Sequence, residues 1–186
     1  MHRSLAFALF TLLSAFPMLL PAKDLTPDEQ AFFDQHTSDM IKIRFEPQRL
    51  DAPALLKVFS APFYAVKMAL QFADTEETSL LVVVRIGDNL VSLSRPSGDS
   101  DVPEIQKMLN PDFKLRTDGD ATALQEALDT AYPIVSDDDK PAKAFRHSGH
   151  TWIFVRGNFV NSKLGFVFET DAKGAIKSVK YVVELP

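Results

Sequence analysis

The chain has 186 residues, no cysteine and a formal charge of −5 at pH 7. The missing thiols exclude disulfides, thiolate metal centres, cysteine nucleophiles and dithiol redox exchange. An acidic balance with dispersed basic residues disfavours a phosphate-backbone or anionic-membrane surface, so no nucleic-acid partner is expected.

Residues 1–22 read as a secretory signal peptide. His2 and Arg3 form a short n-region, Leu5 to Leu20 is an uncharged apolar run, and Pro21-Ala22 supplies a small-residue end before Lys23. The run is shorter than the roughly 20 residues that span a bilayer, so no stable membrane span is expected after signal cleavage. A retained N-terminal anchor is the alternative. Residues 23–186 then make a single exported domain, periplasmic or secreted, and loss of Arg3 takes its charge to −6. A domain of this size buries about two-thirds of its unfolded surface, enough for a core without staples.

Thr26-Pro27-Asp28-Glu29 starts the first helix. Thr26 caps it, Pro27 takes the first helical position, and Glu29 closes a Thr-x-x-Glu capping box; the helix is expected to reach His36 or Ser38. Alternation over Met40–Phe45 slightly favours a strand, with Glu46-Pro47 as its stop. A short helix over Ala52–Phe59 follows Asp51. Phe63–Phe72 alternates as a strand, Asp74–Glu77 reads as an acidic turn, and Ser79–Ile86 contains Leu80-Leu81-Val82-Val83-Val84. That apolar run predicts a central strand covered on both faces. Gly87-Asp88-Asn89 reverses the chain into Leu90–Ser94, which completes an antiparallel meander.

Asp101-x-x-Glu104 reads as a second capping box, opening a helix with Val102, Ile105, Met108 and Leu109 inward. Asp120 is expected to cap a helix over Ala121–Ala131, which stops at Tyr132-Pro133. Three aspartates at 137–139 make a charged loop. The stretch from Ala142 to Leu185 then alternates as three or four strands, with Asp171-Ala172-Lys173-Gly174 as a turn. Trp152, Phe154 and Arg156 share one face; Ile153 and Val155 share the other. Gly157-Asn158 predicts a bulge or bend. The two halves share a helix-plus-meander outline, but no residue alignment between them is evident.

These elements predict an α+β fold, with a curved antiparallel β-sheet packed against three or four short helices. At the level of fold analogy this resembles the cystatin-like and NTF2-like architectures. Two smaller meanders are the alternative.

The chemistry is sparse. His147-Ser148-Gly149-His150 is the most suggestive constellation, since two imidazoles near a turn with one of the aspartates at 137–139 would suit Zn²⁺. Two solvated turn histidines explain it more simply, so His147 and His150 are weak candidates and no metal is assigned. No Gly-x-Ser-x-Gly elbow, P-loop or dinucleotide fingerprint occurs, so no catalytic residue and no cofactor is assigned. Lys67, Arg85, Arg95 and Arg156 lie in or beside strands and would form a recognition face if they shared one, with Trp152 or Tyr64 as an aromatic anchor.

The expectation is therefore an exported, non-enzymatic protein-binding or inhibitor-like module whose partner is an envelope or secreted protein. The alternative is a small-ligand-binding protein or hydrolase with a pocket between a curved sheet and its helices. An unpaired strand edge would also allow a homo-oligomer.

Overall fold

The computed structural model describes residues 22–37, 43–72, 75–93, 98–132, 145–159 and 162–185. The leader segment before Ala22, Arg95 and the aspartates at 137–139 lie outside the described residues. No helix among the described residues is long and apolar enough to cross a membrane.

The α+β class holds, but the β-structure divides into two antiparallel five-stranded sheets rather than one curved sheet. The first sheet orders β1 (Ala22–Lys23), β2 (Ile43–Leu50), β3 (Phe63–Phe72), β4 (Thr75–Ile86) and β5 (Asn89–Ser92) in sequence. The second contains β6 (Ser100–Asp101), β7 (Phe145–Ser148), β8 (Thr151–Phe159), β9 (Ser162–Thr170) and β10 (Ile176–Val182), in the spatial order β6-β10-β9-β8-β7. Among the described residues four helices accompany them: α1 (Pro27–Thr37), α2 (Pro53–Val58), α3 (Pro103–Met108) and α4 (Asp118–Ala131). Each sheet is thus a meander with a two-residue strand added at one edge.

Local chemistry explains most boundaries. The Thr26–Glu29 box forms: Glu29 N donates to Thr26 Oγ1 at 3.3 Å, and Thr26 N donates to Glu29 Oε2 at 2.9 Å. Helix α4 starts earlier than expected, because Thr117 is its N-cap and Asp120 is the reciprocal partner at the third position. The Asp101-x-x-Glu104 box does not form. Asp101 pairs in β6 opposite Lys180, so Val102 becomes the N-cap and makes no side-chain cap bond.

Pro47 does not stop β2, which continues to Leu50. It faces Val66 of β3, while β1 covers only Arg49 and Leu50 on the other side. Proline is tolerated there because an edge strand leaves one side without ladder bonds. β4 begins at Thr75, so part of the expected acidic turn belongs to the strand.

One large core draws on the inner faces of both sheets and on α2, α3 and α4. It includes Phe63, Val84, Leu55, Ile105, Leu124 and Phe166. A smaller cluster on the outer face of the first sheet joins Phe33 of α1 to Tyr64, Val66 and Val83. The central Val82–Val84 run is buried on both sides, as its composition predicts: Val82 and Val84 enter the large core and Val83 the small cluster.

The structure also supplies an alignment between parts of the two halves. Residues 51–63 and 101–113 match at Asp51/Asp101, Pro53/Pro103, Lys57/Lys107 and Phe63/Phe113, always at the same offset. Helices α2 and α3 are both six residues long, and Phe59 and Leu109 behind them form an antiparallel bridge. Ser60 N donates to Met108 O, and Asn110 N donates to Val58 O, each at 2.9 Å. The two bonds interchange under that offset, which is a local two-fold relation.

Candidate interaction face

The residues expected to form one recognition face are scattered. Trp152 is buried under His147, whose ring stacks on the indole with centroids 4.4 Å apart. Arg156 is only 5% exposed. The predicted irregularity is real, since the β8–β9 register shifts between Val155 and Gly157. Arg156 keeps the inward parity of Trp152 and Phe154, and its guanidinium donates to the carbonyl of Tyr132 and pairs with Asp129, at the C-terminal end of α4.

Lys67 is exposed on β3 and lies 3.9 Å from Glu46 on the neighbouring strand. Arg85 lies on the opposite face of the first sheet, with its guanidinium 3.9 Å from the centre of the Phe32 ring. The register separates these two cations: Arg85 follows the parity of Leu81 and Val83, whereas Lys67 follows Phe63 and Ala65. Arg95 falls outside the described residues. His147, Gly149 and His150 are exposed at the β7–β8 turn, and no group of three metal-ligating side chains occurs among the described residues.

The best-developed polar cluster joins α1 to the first sheet. Buried Glu29 accepts from Tyr64 Oη at 2.9 Å and from Arg49 Nη1 at 2.8 Å, while Arg49 Nε reaches Asp51 at 3.0 Å. Burial alone would raise the Glu29 pKa. Bonds from the Thr26 backbone, Tyr64 and the Thr26 hydroxyl, with the Arg49 charge, outweigh it and hold the carboxyl below its ordinary value. Burial, then Glu29, pushes the Tyr64 phenol upward. Every member is satisfied by its neighbours, so the cluster acts as the polar anchor of α1.

A recess of about 160 Å³ lies beside this anchor, between α2 and the Phe59–Phe63 turn, with Leu55, Leu56, Phe59 and Arg49 in its wall. Leu56 on its rim is 55% exposed. Small-molecule sites generally occupy about 300–1,000 Å³. The recess is smaller than that and is lined by both apolar and polar residues, Arg49 and Ser60 among them.

The outer face of the second sheet is more extensive. The ladder aligns Ile153 with Val167 and Lys180, and Val155 with Gly165 and Val182. The four apolar side chains are half-buried, and none belongs to either core cluster. Exposed Arg146 sits opposite Ile153, exposed Lys180 opposite Val167, and exposed Lys163 continues the same face along β9. Glu169 lies at one end, where it accepts from Ser178 Oγ at 2.9 Å. Gly165 keeps the strands close, since a Cβ there would overlap the carbonyl oxygen of Phe154.

Sequence reasoning separated Ile153 and Val155 from the Trp152 face but assigned them no role. The signal was Val182, an apolar residue on the otherwise polar side of β10. No family model, curated protein or solved structure matches the chain.

Proposed function

We propose that the protein is an exported, non-enzymatic protein-binding module, inhibitor-like in acting through a surface, and that the outer face of its second sheet is the recognition surface. One observation carries this reading. The sheet's central outer strip is aliphatic, at Ile153, Val155, Val167 and Val182, and basic side chains flank it. An antiparallel sheet with a wet face ordinarily places polar residues along that strip. An apolar centre with a charged rim is the arrangement of protein interfaces. Export rests on the leader reading, and the partner is accordingly an envelope or secreted protein. The pocket reading draws no support from the recess at α2, which is smaller than small-molecule sites generally are.

The test is capture from the native envelope extract by the wild-type chain, by Val167→Glu and by Lys180→Glu, followed by native mass analysis. Circular dichroism first establishes that each variant is folded. One protein recovered stoichiometrically by the wild type, and lost with both variants, is the expected outcome. Equal recovery by all three chains, or a retained small molecule without a protein partner, refutes the assignment.

A further inference from the structure

The first sheet displays what covers a face of this kind. Its outer side carries Tyr64, Val66 and Val83, and α1 lies on it through Phe33, whose ring meets Tyr64 edge-on at 4.9 Å. The fit is electrostatic as well as apolar. The helix brings Glu29 to Arg49 at 2.8 Å, and Arg85 covers the face of Phe32. An acidic helix thus sits through Phe33 on Tyr64, Val66 and Val83, with Arg49 and Arg85 engaging Glu29 and Phe32 beside it.

The second sheet repeats those surface properties, and among the described residues no helix lies on that face. Ile153, Val155, Val167 and Val182 make the strip, and Arg146, Lys163 and Lys180 have no ion-pair partner among the described residues. Helix α4, which precedes this meander, commits Leu124 and Leu128 to the large core instead. Three strands at about 4.8 Å spacing offer a strip about 10 Å wide, matching the diameter of a helix with its side chains.

We infer that the outer face of the second sheet docks an acidic amphipathic helix of a partner protein, as the first sheet docks α1. This inference rests on the binding reading above and adds the chemistry of the partner. A second copy packed face to face would set three basic side chains and Glu169 on each side of the contact, and the dimerisation outcome below distinguishes it.

The experiment uses the protein recovered after expression of the full 186-residue chain. Two synthetic helical peptides share one Leu/Phe stripe and differ only in its flanks, Glu in one and Lys in the other. Amide NMR shifts and titration calorimetry read the outcome. The Glu-flanked peptide is expected to shift Ile153, Val155, Val167 and Val182, to bind about ten-fold tighter than its Lys counterpart, and to weaken with added salt. Lys180→Glu should reduce or reverse that preference.

Equal affinities, no binding, or shifts centred on the α2 recess would overturn the inference. So would dimerisation of the protein alone through this face, which assigns the strip to a second copy. Capture that depends on Val167, without discrimination between the peptides, leaves the binding reading standing and removes only the helix.

Discussion

Arg156 shows how one residue's environment reverses its apparent role. A basic residue beside Gly157-Asn158 suggests an exposed corner, yet it shares the inward face of Trp152 and Phe154 and reaches the Tyr132 carbonyl and Asp129. Alternation assigns a side chain to a face; it carries no information on whether that face meets solvent or a helix end. The partners are unequally exposed: the Arg156 side chain is 5% exposed and that of Asp129 is 51% exposed. Removing the carboxylate therefore leaves a buried cation short of compensation, whereas replacing both groups with apolar ones relieves the desolvation cost. Asp129→Ala should lower unfolding free energy by about 2–3 kcal/mol, and the Asp129→Ala/Arg156→Met double variant should recover part of that loss. Urea unfolding of the two variants checks the order. A double variant less stable than Asp129→Ala would mean that the contact with the Tyr132 carbonyl dominates.

At the scale of elements, the legible features were those decided by neighbours in sequence. Thr26 and Glu29 are three residues apart, so their capping box could be read directly, and it forms. Asp101 and Glu104 have the same spacing, but strand pairing with Lys180 takes Asp101 away from the helix. The α2/α3 relation was illegible because its identities are few; the reciprocal bonds across Phe59 and Leu109 make them meaningful. Helix α1 offers the sharpest test of an element's independence. It is held through Phe33 and the Glu29 anchor to a cluster separate from the large core. Phe33→Ala should cost about 3 kcal/mol, within the range for truncating a buried Phe. Much of that loss should appear as local release of α1. Hydrogen exchange is expected to quicken over Pro27–Thr37 well before it quickens over β8 and β9. Uniform acceleration in all three elements would show that α1 and the core unfold as one unit.

At the scale of the molecule, periodicity indicated the strands but ranked one curved sheet above the two meanders that the structure has. Hairpin turns link neighbours, whereas assignment of the β6 edge to β10 depends on a contact between residues far apart in sequence. Hydrogen-bonded carboxyls, most of them held by near neighbours in sequence, give the protein a defined pH window. Glu29 and Asp120 are held below their ordinary values of 4.5 and 3.8 by hydrogen bonds that overcome burial. Asp171 is lowered to about 2, first by the Ala175 backbone N–H and then by Lys177. For a carboxyl with a depressed folded-state pKa, the stabilisation is fully present above the unfolded value and is lost as pH falls through the folded one. Stability should therefore hold down to about pH 4.5 and decline towards about pH 2. The tyrosines set the other limit. Burial raises Tyr64 and Tyr132 above their ordinary value of 10.0, with Glu29 adding to the first and Glu104 to the second. Their contribution is present below that value and is lost as pH rises beyond it, because the unfolded chain ionises first. Thermal unfolding should thus give a plateau with an acid flank, and Glu29→Gln should flatten that flank while lowering the plateau. An unchanged acid flank in Glu29→Gln would remove the α1 anchor from the account. Phenolate absorbance should lag in the folded protein, and Tyr64 ionising near its ordinary value while α1 stays protected from exchange would contradict the buried Tyr64–Glu29 bond.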